Sequence, residues 1–212
     1  MKALILAGSD VTVTEGLRTL CHEADVVIAA DSGVRHAAPL GVTPDLIVGD
    51  FDSASSEDLD RYPAVPRQTH PPRKDALDLE LALAEAFSRG ATELLIVGTL
   101  GGRLDQTLAA LFIAARVRER MRVTLHDGHR VAYPLLTGDA LSLTLPTGTP
   151  FSMLSLESVS VISLEGASYP LAEARLEFGV GFGVSNETAA PSLGVTLHSG
   201  LALLLLELHN LY

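Results

Sequence analysis

LLIVGTLGGRLDQTLAAL, Leu94 to Leu111, reads as one complete unit of alternating structure. An apolar β-type run, Leu94–Val97, leads into a loop with Gly98, Gly101 and Gly102, and then Arg103 and Asp105 open a helix. The same strand-then-helix rhythm extends outward from it. Further strands are expected at Ala3–Leu6, Val26–Ala30, Leu46–Val48 and Arg122–His126, with helices at Asp75–Ser88 and Asp105–Arg120. Such βα units build a mainly parallel sheet, and ligands bind in the loops beyond the carboxyl ends of its strands. After Tyr133 the helical periodicity stops. Gly, Pro, Ser and Thr there separate short runs such as Leu141–Leu145, Val159–Leu164 and Leu201–Leu206, the pattern of a β-sandwich or barrel. Arg175 is the only Lys or Arg after Arg130, so the two halves are expected to do different work. The expected architecture is α/β: a Rossmann-like three-layer N-terminal domain, residues 1–130, then an all-β C-terminal domain, residues 131–212.

Composition narrows the function classes. The chain has 212 residues, 47% of them hydrophobic, which is ample for a core. Its 26 acidic against 15 basic residues give a formal net charge of −11, which argues against nucleic acid as a partner. A small anionic ligand stays compatible when divalent cations bridge it to carboxylates. Cys21 is the only cysteine, so no intrachain disulfide can form, and it reads as a buried helix residue. MKALILAGSD turns polar too soon for a secretory signal, and the longest apolar run, Leu201–Leu206, is far below the roughly 20 residues of a membrane span. The expected location is the cytoplasm, with no membrane partner.

Four motifs carry the chemistry. AADSG, Ala29–Gly33, ends a strand with Asp31, followed by a glycine that permits close approach of a ligand, although an acid there also forms turns and caps helices. VGDFDS, Val48–Ser53, sets Asp50 and Asp52 two residues apart after Gly49, where a shared hard cation would cancel their repulsion; an Asx turn leading to a helix start is the plainer alternative. KDALD, Lys74–Asp78, brings Asp75 and Asp78 together at i, i+3 beside Lys74 and Arg73, though acids at a helix start also suit its dipole. GTLGGRLDQ, Gly98–Gln106, is the most specific: glycines expose backbone N–H groups, the helix start favours anions, and Arg103 offers a fork for phosphate oxygens beside Asp105. It is neither a Walker loop nor a GxGxxG fingerprint. A crevice gathering these acids with Lys74 and Arg103 suits Mg²⁺ and a polyphosphate. HDGH, His126–His129, lacks further clustered ligands and reads as a turn.

The motifs AADSGVRH, GVTPDLIVGDFDS, KDALDLELAL and GGRLDQTLAAL, in that order, followed by SYPL and GVSNE, resemble the thiamine pyrophosphokinase family over most of the chain. The resemblance implies transfer of the β,γ-diphosphate of ATP to the hydroxyl of thiamine, an α/β nucleotide-binding domain followed by a β-rich thiamine-binding and dimerisation domain, and a homodimer. By position it implies catalytic Asp50, Asp52, Asp75, Asp78 and Asp105, with Mg²⁺ on Asp50, Asp52, Asp75 and Asp105. ATP contacts are implied at Asp31, Gly33, Gly49, Lys74, Gly101, Gly102 and Arg103, and thiamine contacts at Ser185, Asn186 and Phe182. Asp52, Asp75, Asp78 and Asp105 are all candidates for the general base. Leu77 departs from the family's threonine at that position of KDxTD, which puts a helix-start hydrogen bond or a metal–water contact in question. Two rivals stand beside this reading: a pyrophosphokinase for another heterocyclic alcohol such as a hydroxymethylpterin, and a non-catalytic nucleotide- or metal-binding dimer.

Overall fold

A computed structural model describes residues 1–70 and 77–208. The chain divides into two compact units, residues 1–113 with 120–128, and residues 114–119 with 129–212.

The first unit contains β1 (Lys2–Leu6), α1 (Glu15–His22), β2 (Val26–Ala30), α2 (Ala37–Leu40), β3 (Leu46–Gly49), α3 (Ser56–Asp60), β4 (Arg67–Thr69), α4 (Asp78–Ser88), β5 (Glu93–Val97), the start of α5 (Leu104–Val117) and β6 (Arg122–His126). Its six strands are parallel and lie in the order β6-β5-β1-β2-β3-β4. β1 is central: Ala3 stands opposite Val26 of β2 on one side and Leu94 of β5 on the other. Near-continuous apolar runs make this possible, because a parallel strand is covered on both faces, and Val26–Ala30 and Leu46–Gly49 are buried throughout. The five strands expected from the sequence form within a residue of their expected bounds. β4, Arg-Gln-Thr, was not expected; all three residues are exposed, as an edge strand allows. Strand order runs outward from β1 through β2, β3 and β4, then returns to the other side of β1 with β5. That reversal opens a crevice at the carboxyl ends of β1 and β5.

The second unit is antiparallel. It contains β7 (Arg130–Leu136), β8 (Ala140–Thr144), β9 (Pro150–Ser155), β10 (Val159–Glu165), β11 (Leu171–Glu177), β12 (Asn186–Glu187), β13 (Ser192–Ser199) and β14 (Leu201–Glu207). These form two four-stranded layers, β12-β9-β14-β7 and β11-β10-β13-β8. Alternation along β9, β10 and β13 sends every second residue inward, and Phe151, Met153, Ile162, Leu164, Leu193 and Leu197 meet Leu204 and Leu206 in one core. No helix among the described residues is long and apolar enough to cross a membrane.

Candidate active site

The crevice at the strand-order reversal is a cavity of about 160 Å³. Its walls come from the loops after β1 (Ala7, Gly8, Ser9), β2 (Asp31, Ser32) and β5 (Gly98, Thr99), with Ser53, the start of α4 (Leu77, Asp78, Leu79), and Gln106 and Ala110 of α5. Three carboxylates converge here: one oxygen each from Asp31, Asp50 and Asp78 lies within 4.8 Å of the others. Local backbone requirements hold them there. Asp31 begins a 3₁₀ turn, Asp31–His36, with φ 47°, and Phe51, between Asp50 and Asp52, has φ 63°. Left-handed conformations at non-glycine residues store about 1–3 kcal/mol each, strain that functional sites tolerate. Gly49 has to be glycine: its φ is 151°, and a Cβ there would come within 3.0 Å of Asp31 Cβ.

Asp31 is only 5% exposed, and its Oδ2 accepts a hydrogen bond from Ser53 Oγ. Its Oδ1 is buried with no hydrogen-bond partner among the described residues. A buried, unpaired carboxylate oxygen beside two further carboxylates is costly unless a cation completes the group. The donor set is all oxygen, which fits a hard divalent ion such as Mg²⁺.

The other candidate residues are placed as follows. Asp52 is exposed and outside the converging three; its backbone N–H donates to Asp50 Oδ1 at 3.3 Å, and the Asp50 charge beside it holds its carboxyl above the usual carboxylate value. Asp105 is bound bidentately by Arg103, Nη2 to Oδ2 at 2.7 Å and Nε to Oδ1 at 3.2 Å, and the hydrogen bond from Arg103 lowers its pKa. Both side chains are exposed, Arg103 just before α5 and Asp105 in its first turn. Gly102 turns that loop with φ 74°, and Thr107 Oγ1 donates to the Gly101 carbonyl. Gly33 serves packing: a Cβ there would meet the Leu6 carbonyl oxygen at 2.1 Å, so the turn passes β1 only without a side chain. Lys74 and Asp75 lie outside the described residues.

The sequence reading missed the loop after β1, although LILAGSD is itself an apolar run ending in glycine, serine and an acid. Residues of AADSGVRH pin this loop. Arg35 Nη2 donates to the Gly8 carbonyl at 2.7 Å and pairs with Asp10 at 3.1 Å, while His36 Nε2 donates to the Ser9 carbonyl at 2.8 Å. Burial pushes the His36 pKa down, more than that carbonyl and Asp10 raise it.

In the second unit, Ser185 and Asn186 line a separate cavity of about 560 Å³ with Tyr169, Phe151 and Ser152. Ser185 is exposed, with φ 64°. The Asn186 side chain is buried and engaged with backbone: Oδ1 accepts from Tyr169 N at 3.1 Å and from Glu187 N at 2.9 Å, and Nδ2 donates to the Tyr169 carbonyl at 2.9 Å. Phe182 is 59% exposed.

Residues 17–125 match the profile described as thiamin pyrophosphokinase, catalytic domain, which covers more than half of the chain, and residues 141–202 match the thiamin pyrophosphokinase vitamin B1 binding domain. The chain belongs to the thiamin pyrophosphokinase family. It is similar to a thiamine pyrophosphokinase of Bacillus subtilis (strain 168), 26% identical over 188 residues that span 86% of this chain and 87% of the relative. A crystal structure of thiamine pyrophosphokinase from Bacillus subtilis shares its fold with TM-score 0.85 at 22% identity, covering 98% of this chain and 99% of that one. A thiamin pyrophosphokinase family protein from Enterococcus faecalis does so with TM-score 0.80 at 24% identity, over 98% and 99%. The fold extends to thiamin pyrophosphokinase from Candida albicans, TM-score 0.77 at 14% identity, over 97% and 88%. The catalytic match contains Asp31, Asp50, Asp78 and Arg103, and the vitamin-binding match contains Phe182, Ser185 and Asn186.

Proposed function

We propose that the crevice of the first unit binds ATP with Mg²⁺ and that the chain transfers the β,γ-diphosphate of ATP to the hydroxyl of thiamine, giving thiamine diphosphate and AMP. The observation that carries this is the convergence of Asp31, Asp50 and Asp78 around a buried carboxylate oxygen with no partner among the described residues, at the strand-order reversal where nucleotides bind in such sheets. The thiamine oxygen attacks the β-phosphorus, the bond from that phosphorus to the α,β-bridging oxygen breaks, AMP leaves with that oxygen, and the hydroxyl proton is released.

Asp31, Asp50 and Asp78 are the metal ligands of this reading, joined by Asp52 and by Asp75. Bound Mg²⁺ supplies positive charge against the negative charge that develops on the phosphate oxygens. The remaining work is positioning. Phosphate oxygens compete with Asp105 for Arg103, whose fork is already presented at the helix start with Gly101 and Gly102. Arg35 and His36 hold Gly8 and Ser9 against the crevice, and the strained turns at Asp31 and Phe51 fix the carboxylates before the substrate arrives. The first unit is the nucleotide half, with a Rossmann-like three-layer arrangement. The β unit takes thiamine at Ser185 and beside Phe182, and it pairs the chain into a cytoplasmic homodimer.

Incubation with ATP, Mg²⁺ and thiamine should give AMP and thiamine diphosphate in equal amounts. Preference for a hydroxymethylpterin as acceptor would overturn the substrate assignment, and failure to form AMP with any added alcohol would overturn the enzyme assignment.

A further inference from the structure

We infer that Thr99 binds the nucleotide through its hydroxyl, an inference that rests on the crevice being the ATP site. Thr99 lies in the loop between β5 and α5, at the strand-order reversal, and lines the cavity with Ser9, Ser32 and Gln106. It is 6% exposed, and its Oγ1 is buried without a hydrogen-bond partner among the described residues. Its neighbour is tightly placed: Gly98, φ 82°, passes so close to the loop after β1 that a Cβ there would meet the Ala7 carbonyl oxygen at 2.3 Å. That close passage packs the loop tightly, and among the described residues none supplies the hydroxyl with a partner.

A hydroxyl out of water with no partner destabilises the protein that carries it. If Thr99 only filled space, valine would have the same shape without that penalty. The hydroxyl is explained when its partner comes from the ligand. A 120° rotation about χ1 moves Oγ1 into the position of another Cβ substituent, so the hydroxyl can turn toward the cavity that Thr99 lines. The acceptor it meets is a nucleotide oxygen.

Opposite signs test this, with wild type, T99V and T99S as full chains. In the absence of ligand T99V should melt at or above the wild-type temperature, because the hydroxyl has no partner among the described residues to lose. By calorimetry its dissociation constant for Mg²⁺–ATP should rise about three- to tenfold, with the Michaelis constant for thiamine unchanged. T99S should return ATP affinity to the wild-type value. An equal loss toward inorganic tripolyphosphate with Mg²⁺ identifies a phosphate oxygen as the acceptor; a loss confined to ATP identifies the nucleoside. T99V binding ATP as tightly as wild type, or melting lower than wild type without ligand, overturns the role of Thr99 and leaves the ATP site standing. Wild type that does not bind Mg²⁺–ATP overturns the ATP site itself, and this inference with it.

Discussion

Asp50 and Asp52 sit two residues apart although like charges repel, and the repulsion is visible in the raised Asp52 carboxyl. Their placement makes sense with a cation on Asp31, Asp50 and Asp78, and Asp52 alongside. Asp50→Asn keeps shape and removes charge; it should lower turnover by about 100-fold or more while leaving the melting temperature within about 2 °C of wild type. Asp52→Asn should also cut turnover, which steady-state AMP formation checks. Near wild-type rates in Asp50→Asn would remove the metal site. Excess chelator should abolish AMP formation without changing the far-UV circular dichroism. His36 gives a separate prediction in pH. Burial holds its folded-state pKa below the unfolded value, so its contribution to stability is fully present above the ordinary histidine range. As pH falls through that range the unfolded chain takes up the proton first, and stability is lost until the folded-state value is passed. His36→Gln removes this titration, so its melting temperature should fall less than that of wild type between about pH 7 and pH 5. Equal slopes for the two proteins would refute it. Cys21, its thiol pushed up to about 12 by burial, should resist alkylation in the folded protein.

Among the elements, α4 shows what the sequence discloses and what it hides. Its helical residues are plain from LELALAEAF, yet its first described turn starts at Asp78, with Leu77 as N-cap. Leucine has no side-chain acceptor for that position; instead Glu80 reaches back to accept the Leu77 N–H at 3.1 Å. Leu77→Thr should supply the missing acceptor and raise stability by about 0.5–1 kcal/mol, a rise of about 2 °C in melting temperature. The central strands were legible because both faces are buried and nearly every residue is apolar, and the antiparallel ones because every second residue is. That Asp31, Asp50 and Asp78 share one crevice was legible too, from acids that follow strands, but which acids come closest was not, since two loops and the first turn of α4 supply them and spacing along the chain says nothing of distance across a crevice. The same holds for Asn186, whose amide looks free in GVSNE but is taken by Tyr169. Asn186→Ala should therefore lower the melting temperature by several degrees, leaving a Tyr169 N–H and carbonyl unpaired at about 1–3 kcal/mol. Ser185→Ala, at an exposed position, should leave stability unchanged and raise the Michaelis constant for thiamine alone. A thiamine constant unmoved by Ser185→Ala would remove Ser185 from the thiamine site.

For the molecule as a whole, the surface of the β unit is the guide to assembly. Between β11 and β12 four apolar side chains fall at alternate positions, Phe178 (67% exposed), Val180 (53%), Phe182 (59%) and Val184 (45%). Apolar side chains repeated so closely on an exposed segment are the candidates for a contact surface, and a chain of net charge −11 leaves few cations to drive association by other means. A dimer formed through this segment would be held by apolar burial against like-charge repulsion. Its dissociation constant should therefore fall as salt rises from about 0.05 to 0.5 M, the opposite of an ion-paired interface. Sedimentation velocity at micromolar concentration should show a dimer for wild type and a monomer for the double variant Phe178→Ser, Phe182→Ser. A wild-type monomer with full activity would rule the dimer out as a requirement. Phe182 is a candidate for both thiamine stacking and this surface, and Phe182→Leu separates the roles. Leucine keeps most of the apolar area and loses the ring, so the variant should remain dimeric. If the ring stacks on thiamine, the Michaelis constant for thiamine rises while that for ATP stays; if Phe182 serves the interface alone, both constants keep their wild-type values.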